Sequence, residues 1–228
     1  MASSKSLPSD SSHSAPGMKL EKNAGLIMAT NNSSIVSKRS VERLYYPKPH
    51  FFQYFVRKPQ RRSPTINRGY WLRMQAIDSV VKAFLQRQST KQKVVINLGC
   101  GYDPLPFQWL AREPGLCRNV RFVDVDYMEL MITKTSIIKE TSVLVDLVKP
   151  NHGSMQNFVM DSEQYYGVGC DLRDLQSLDL AIRSLGNIDE ALVLCIAEVS
   201  MTYMDSNAAD ALIAWARTLS AGKSGSLR

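Results

Sequence analysis

The stretch that decides the fold is VVINLGCGYDPLPFQWL, residues 94–110. It opens with a short apolar run rich in β-branched residues, which predicts a buried strand over residues 94–98. Gly99 and Gly101 follow, and a helical pattern comes next. A side chain at either glycine would keep the backbone away from a ligand, so this strand–turn–helix unit predicts a binding loop. Because residue 104 is proline, the turn does not match the G-x-G-x-x-G of dinucleotide-binding proteins.

Strand and helix patterns alternate after this unit. Alternation with near-continuous apolar strands predicts an α/β fold, in which a parallel sheet carries helices on both faces. The run at 191–199 is the most apolar, so we predict that it is the most buried strand. No further strand pattern follows it, and we expect the carboxy-terminal strands of the sheet to be missing from the sequence as given. The predicted strands are 94–98, 120–125, 165–170 and 191–199, and the predicted helices are 106–112, 127–141, 172–185 and 209–219.

Two helices are predicted before the first strand. The first spans 33–46, with Ile35, Val36, Val41 and Leu44 as its apolar positions, and the second spans about 67–85. Residues 1–30 are rich in Ser and Pro, which is typical of a disordered tail. The predicted organisation is therefore a disordered tail at 1–30, a helical and basic segment at 31–92, an incomplete binding domain at 93–220 and a short tail at 221–228.

Composition limits the class of protein. The chain has 228 residues, of which 44% are hydrophobic and 21% charged, as in a soluble globular protein. No apolar run is long enough to span a membrane, and the first residues lack the apolar region of a secretory signal, so we expect a cytoplasmic protein. Four cysteines without a C-x-x-C pair and three histidines without ligand spacing argue against a metal site. The cysteines are better explained as small core residues than as catalytic thiols.

Positive charge is concentrated in one segment. The net charge is +7, and residues 36–73 contain ten Lys or Arg against the single acid Glu42, a local charge of +9. Such a segment is typical of a protein with a polyanionic partner, although a solvated charged face would look the same. The candidate nucleic-acid contacts in it are Arg57, Lys58, Arg61 and Arg62.

Two acids close the second strand. Asp124 and Asp126 stand in VDVDY, where a carboxylate can accept both hydroxyl groups of a ribose. Asp126 is the candidate for that contact. The alternative is that both residues are merely exposed acids at a strand end.

The next two strand ends also carry polar groups. Asp171 could accept the amino group of an adenine while Leu172 offers its N–H and an apolar wall, but Asp171 and Asp174 could equally be acids at a helix N-terminus. Glu198 ends the most apolar strand, where a carboxylate needs a partner such as an ammonium group. Arg73 precedes the first strand, and its guanidinium suits a carboxylate unless it is simply a surface base.

Six motifs together resemble the leucine carboxyl methyltransferase family over about residues 30–219. They are KRSVERLYYPK, SPTINRGYWLR, VVINLGCGYDPLPFQWL, FVDVDY, GCDLRDL and LCIAEVSMTYM, in that order. The resemblance implies a Rossmann-like class I methyltransferase fold that uses S-adenosyl-L-methionine. It implies cofactor contacts at Lys38, Arg73, Gly99, Asp126, Asp171, Leu172 and Glu198. For Lys38 the residues alone favour a surface base, so that contact comes from the resemblance.

The resemblance also implies transfer of a methyl group to a carboxylate. One branch of the family acts on the wybutosine precursor, at the guanosine beside the anticodon of tRNA-Phe, and is credited with both its methylation and its methoxycarbonylation. The stretches ATNNSSIVSKRSVE and GYDPLPFQ resemble this branch. The other branch methylates the terminal leucine of the protein phosphatase 2A catalytic subunit. A third alternative is an inactive truncated remnant.

The chemistry of a carboxylate acceptor fits the residues present. A carboxylate is already ionised at neutral pH and needs no general base, and the sequence has no Ser-His-Asp or Cys-His arrangement. Transfer then depends on placement of the acceptor and on exclusion of water. Tyr203, just past Glu198, is a candidate for orienting the acceptor, although a packed aromatic residue would look the same.

Overall fold

The computed structural model describes residues 33–151 and 156–220, so the predicted tails at 1–30 and 221–228 lie outside the described residues. The helices are α1 (33–45), α2 (Phe52–Phe55), α3 (Pro64–Leu85), α4 (Leu105–Arg112), α5 (Met128–Glu140), α6 (Ser142–Val148), α7 (Leu175–Arg183) and α8 (Ser206–Ser220). The strands are β1 (Lys93–Leu98), β2 (Val120–Asp126), β3 (Met160–Asp161), β4 (Tyr165–Gly169) and β5 (Leu192–Ile196). In this part of the chain no helix is long and apolar enough to cross a membrane.

The strands form one sheet in the order β3–β4–β2–β1–β5. β4, β2, β1 and β5 are parallel, as predicted, and the short β3 pairs antiparallel with β4. The chain extends from β1 through β2 to β4 on one side and then returns to place β5 on the other side of β1. A reversal of this kind opens a crevice at the carboxyl ends of the strands, which is where ligands bind in open α/β sheets.

Helices cover both faces of the sheet, which confirms the predicted fold class. Val95 and Ile96 are adjacent in β1 and belong to different core clusters, because successive side chains of a strand point to opposite faces. The Val95 cluster contains side chains of α3, α4, α5 and α6, and the Ile96 cluster contains side chains of α7 and α8. All six residues of β1 are buried.

The prediction that 191–199 is the most buried strand is wrong. Every residue of β5 is only half-buried, and β1 is its one sheet neighbour among the described residues. A strand is fully buried only when strands flank it on both sides and helices cover both faces. Apolar composition indicates that helices cover both faces of a strand, but it carries no information about whether other strands flank it on both sides.

Helix boundaries differ from the predictions for local reasons. α3 begins at Pro64 rather than at Asn67, because the Ser63 hydroxyl caps its first turn by accepting from the Ile66 N–H at 3.4 Å. Proline fits the first helical position, where no backbone N–H is needed. Leu44 was expected in the core but is 57% exposed, whereas Ile35 and Val41 are buried.

α1 is anchored by a buried carboxylate. Glu42 accepts hydrogen bonds from the N–H groups of Phe51, at 2.8 Å, and Phe52, at 3.1 Å, and from the Gln108 amide. Burial raises the pKa of Glu42 above its ordinary value in spite of these donors. The contacts fix α1 against α2 and α4, and they place Lys38, about one turn earlier, at the carboxyl end of the sheet.

Candidate active site

A cavity of about 440 Å³ opens at the carboxyl ends of the four parallel strands. The turns that follow β1, β2, β4 and β5 line it, together with side chains of α1 and α3. All nine residues predicted for the cofactor and the acceptor lie in its wall: Lys38, Arg73, Gly99, Gly101, Asp126, Asp171, Leu172, Glu198 and Tyr203. Residues far apart in the sequence therefore converge on one space of small-molecule size.

The glycine turn after β1 needs both of its glycines. Gly99 has φ +73° and Gly101 has φ +52°, a region that other residues rarely adopt. The Gly99 N–H donates to the Val125 carbonyl at 2.8 Å, which folds the turn over the end of β2. A Cβ atom on Gly99 would overlap the Cβ of Ser200. Backbone therefore forms this wall of the cavity.

Asp126 keeps acceptor capacity on both carboxylate oxygens. One oxygen accepts from the Gly101 N–H at 2.7 Å and the other from the Tyr127 N–H at 2.8 Å. Burial raises the pKa of Asp126 above its ordinary value, although the two N–H donors act in the opposite direction. Each oxygen still has a free lone pair, so the carboxylate is suited to two neighbouring hydroxyl groups.

Asp124 has a different role from Asp126. It is fully buried, and one of its oxygens accepts from the Lys134 ammonium at 2.8 Å and from the Tyr165 hydroxyl at 3.1 Å. It does not line the cavity. The interpretation of both residues as exposed acids at a strand end is therefore wrong for Asp124, which belongs to the core below the glycine turn.

An ion-pair cluster forms one end of the cavity. Glu198 binds the ammonium of Lys38 at 2.6 Å with one oxygen and the Arg73 guanidinium with the other. Lys38 also binds the Asp103 carboxylate. Lys38 is 4% exposed, so it is not the surface base that its sequence context favours. Burial alone would lower the pKa of Lys38, but the two carboxylates raise it above its ordinary value, so Lys38 is a cation at neutral pH.

Another part of the cavity wall comes from the turn after β4. Leu172 is buried and provides an apolar surface. The Asp171 carboxylate is held by Arg173, whose Nε lies 2.9 Å from Oδ1, and this contact lowers the pKa of Asp171. Asp174, not Asp171, caps α7 by accepting from the Ser177 N–H at 3.1 Å. The helix-terminus alternative therefore describes Asp174, and Asp171 is left facing the cavity.

The turn after β5 is strained. Val199 has φ +63°, a conformation that is uncommon for a β-branched residue. The turn brings the Ser200 hydroxyl to the Leu98 carbonyl, to which it donates at 2.7 Å. It also leaves Tyr203 47% exposed in the cavity wall, so the alternative of a packed aromatic side chain does not apply.

The thiols of the cavity are poor nucleophiles. Cys100 and Cys170 both line it. Burial raises the pKa of Cys170 to about 11 and that of Cys100 well above its ordinary value, so both are protonated at neutral pH. Over residues 33–151 and 156–220 no group of three or more His, Cys, Asp or Glu side chains could hold a metal ion.

Sequence reasoning missed several residues of the cavity wall, and two of these belong to or contact the ion-pair cluster. Asp103 follows the glycine turn in GYDP and lies in the cavity wall. An acid so near the predicted binding loop was the signal that could have identified it. Tyr70 fits the apolar spacing of α3 but lies in the cavity wall, with the Arg73 guanidinium 5.4 Å from its ring centroid.

The four candidate nucleic-acid contacts lie in a basic loop, residues 57–62, outside the cavity, whereas Lys38 and Arg73 of the same basic segment line it. Arg57, Lys58 and Arg61 are exposed, and none of them lines the cavity. Arg62 is half-buried and donates to the carbonyl of Ser33 at 3.5 Å. Because Ser33 belongs to the cavity wall, this contact connects the basic loop to the rim of the cavity.

The fold and the cavity together define a class of protein. A parallel sheet with this strand order, a glycine turn after β1 and an acid at the end of β2 is the architecture of the Rossmann-like S-adenosylmethionine-dependent methyltransferases. The chain belongs to the leucine carboxyl methyltransferase family, whose model matches residues 15–217. Methyltransferases of this family use S-adenosylmethionine as the methyl donor.

The chain is similar to curated proteins from two fungi. The chain is 51% identical over 207 residues to the tRNA wybutosine-synthesizing protein 4 of Aspergillus oryzae, an alignment that covers 89% of this chain and 20% of the relative. It is 50% identical over 225 residues to the protein of that name from Emericella nidulans, covering 96% of this chain and 21% of the relative. The chain thus spans about a fifth of the length of these relatives.

Proposed function

We propose that this chain forms the cofactor-binding part of an S-adenosylmethionine-dependent carboxyl O-methyltransferase that acts on tRNA. The observation that carries the proposal is the convergence of polar groups from four strand ends and two helices on one cavity. S-adenosylmethionine would supply an electrophilic methyl group there. The acceptor that we propose is the wybutosine precursor at the guanosine beside the anticodon of tRNA-Phe.

The residues of the cavity fit the cofactor part by part. Asp126 would accept the ribose hydroxyls, and Asp171 with Leu172 would hold the adenine. Glu198 would bind the ammonium of the amino-acid end, while Arg73 and Lys38 would bind its carboxylate. A Cβ on Gly99 would overlap Ser200, so only glycine lets the turn after β1 pack against the turn after β5 where both line the cavity. Gly101, with φ +52°, would keep its N–H on Asp126 at the ribose.

The methyl acceptor has to be positioned, but no proton has to be removed from it. A carboxylate is ionised at neutral pH, so the reaction needs no general base. The raised pKa values of Cys100 and Cys170 agree with a reaction that needs no thiolate. Tyr203, which is exposed in the cavity wall, would orient the acceptor. The cavity walls would exclude water from the transferring group.

A direct assay tests both the chemistry and the acceptor. The purified chain is incubated with methyl-labelled S-adenosylmethionine, hypomodified tRNA-Phe and the protein phosphatase 2A catalytic subunit together. We expect base-labile label that is removed by nuclease and not by protease. Label in the phosphatase subunit would move the chain to the other branch of the family. Absence of label from both acceptors would overturn the proposed activity for this chain.

Affinity for S-adenosylhomocysteine, the product that the cofactor becomes after methyl transfer, should depend on the ionisation of Asp126. Ribose hydroxyls donate to the carboxylate, and protonation removes its charge and part of its acceptor capacity. Burial raises the pKa of Asp126 above its ordinary value. We therefore expect binding of S-adenosylhomocysteine, measured by calorimetry, to weaken as the pH falls from 7 through the raised pKa of this carboxyl group. Asp126→Asn should bind more weakly at pH 7 and lose this dependence, whereas Asp210→Asn, on the exposed side of α8, should behave as wild type.

The basic loop should carry a salt-dependent share of tRNA binding. Each phosphate contact contributes a slope of about −0.7 to −0.9 to the dependence of log K on log salt concentration. Replacing Arg57, Lys58 and Arg61 by alanine should make the slope less negative by roughly two to three and leave S-adenosylhomocysteine binding unchanged. Triple alanine replacement of the exposed Arg118, Lys139 and Arg217 is the control. An equal effect of both triple variants on the slope would show that the basic loop has no special role.

A further inference from the structure

Asp103 connects the glycine turn to the ion-pair cluster. Its Oδ1 accepts from the Leu105 N–H at 2.9 Å, at the start of α4, and its Oδ2 binds the Lys38 ammonium. Its backbone carbonyl accepts from the ammonium of the buried Lys134 at 2.8 Å. Its side chain is 13% exposed, so the contact with Lys38 is largely shielded from water. Both the backbone and the carboxylate of Asp103 are therefore held in place.

Asp103 also balances the charge of the ion-pair cluster. The cluster contains two cations, Lys38 and Arg73, and two carboxylates, Asp103 and Glu198. An amino acid arrives as a zwitterion, with an ammonium and a carboxylate and no net charge. A neutral cluster can accept such a ligand by exchange of partners, in which Glu198 turns to the ammonium and the cations turn to the carboxylate. When Glu198 turns to the ligand ammonium, the buried Lys38 loses that partner, and Asp103 keeps it paired during the exchange, since a buried cation without a carboxylate is costly.

We propose that Asp103 is a positioning residue for the amino-acid end of the cofactor, because it holds Lys38 and thereby leaves Glu198 available to the ligand. This inference rests on the function proposed above. Without the Asp103 charge, Lys38 would depend on Glu198 alone, and the ligand ammonium would compete with Lys38 for that carboxylate. The ribose and adenine contacts lie at Asp126 and Asp171, so Asp103 should not affect them.

The substitution Asp103→Asn tests the charge with little change in shape. Asparagine keeps an oxygen that can accept from the Leu105 N–H, and it leaves the backbone carbonyl on Lys134. Two probes are compared by calorimetry: S-adenosylhomocysteine, which has the amino-acid end, and 5′-methylthioadenosine, which lacks it. We expect D103N to bind S-adenosylhomocysteine about 10- to 100-fold more weakly, the range for loss of a hydrogen bond to a charged group. Binding of 5′-methylthioadenosine should remain within about twofold of wild type.

A double-variant cycle separates positioning through Lys38 from any other effect. In a Lys38→Met background the Asp103→Asn change should have no further effect on S-adenosylhomocysteine affinity, because its target is gone. Equal weakening of both probes by D103N would indicate a distorted loop and overturn the inference, as would wild-type affinity for both. These outcomes leave the proposed function intact. Failure of the wild-type chain to bind either probe would instead reject the proposed function and the inference together.

Discussion

Replacement of Gly99 by alanine is expected to abolish measurable binding of S-adenosylhomocysteine, a loss of more than about 100-fold. The residue has φ +73°, where an L side chain is strained, and the added methyl group would overlap the Ser200 Cβ. Ser200 cannot withdraw freely, because its hydroxyl donates to the Leu98 carbonyl at 2.7 Å. The glycine turn must therefore shift, and the Gly101 N–H that holds Asp126 shifts with it. Calorimetric titration measures the loss.

Gly186→Ala is the matched control. Gly186 has φ +78°, nearly the value at Gly99, but a Cβ there would meet no atom within 4 Å. This substitution carries the backbone strain without the overlap, so we expect destabilisation of about 1–2 kcal/mol and unchanged affinity. Combining Gly99→Ala with Ser200→Gly removes the overlap and should recover part of the binding. Equal affinity of the Gly99 and Gly186 variants would show that the packing of Gly99 against Ser200 does not shape the binding site.

The sequence predicted those residues of the cavity wall whose positions follow from the topology of the sheet. In a parallel sheet the carboxyl ends of all strands lie at one edge, so a residue just past a predicted strand has a known position. Asp126, Asp171 and Glu198 each end or follow such a strand, and all three line the cavity. Their placement required only the strand assignments and the assumption that the sheet is parallel.

Contacts between distant segments were not predictable in this way. Lys38 lies 65 residues from Asp103 and 160 from Glu198 in the sequence, and no local pattern joins them. The apolar spacing of α3 predicts that Tyr70 faces the core, and Tyr70 does pack against the cluster of Ile35 and Val41, but spacing does not show that it also lines the cavity. The half-buried state of β5 is likewise a property of its position in the sheet.

The largest departure from pattern is a lysine in the core. Lys134 lies in α5 and is fully buried, a position that apolar periodicity would assign to a hydrophobic residue. Its ammonium contacts the Asp124 carboxylate at 2.8 Å, the Asp103 carbonyl at 2.8 Å and the Cys100 thiol at 3.6 Å. It thus joins α5, β2 and the glycine turn from below.

Replacement of Lys134 by methionine is expected to lower the free energy of unfolding by about 3–5 kcal/mol. Methionine has a similar length and keeps most of the packing, so the loss reports mainly on Asp124, whose carboxylate is left buried with only the Tyr165 hydroxyl as a donor. One oxygen of Asp124 has no hydrogen-bond partner even with Lys134 in place, so little can compensate. Urea unfolding at neutral pH measures the difference.

Lys139→Met on the same helix is the control, because Lys139 is exposed in the last turn and its loss should cost no more than about 1 kcal/mol. Adding Asp124→Asn to Lys134→Met removes the unpaired charge and should restore part of the stability. Loss of two charged groups would ordinarily destabilise the protein more than loss of one, so this recovery would be diagnostic. Purely additive effects would mean that the pair is not coupled in the folded state. A restored stability would show that Lys134 stabilises the fold chiefly by neutralising Asp124. That neutralisation allows a carboxylate to lie beneath the glycine turn that shapes the cavity.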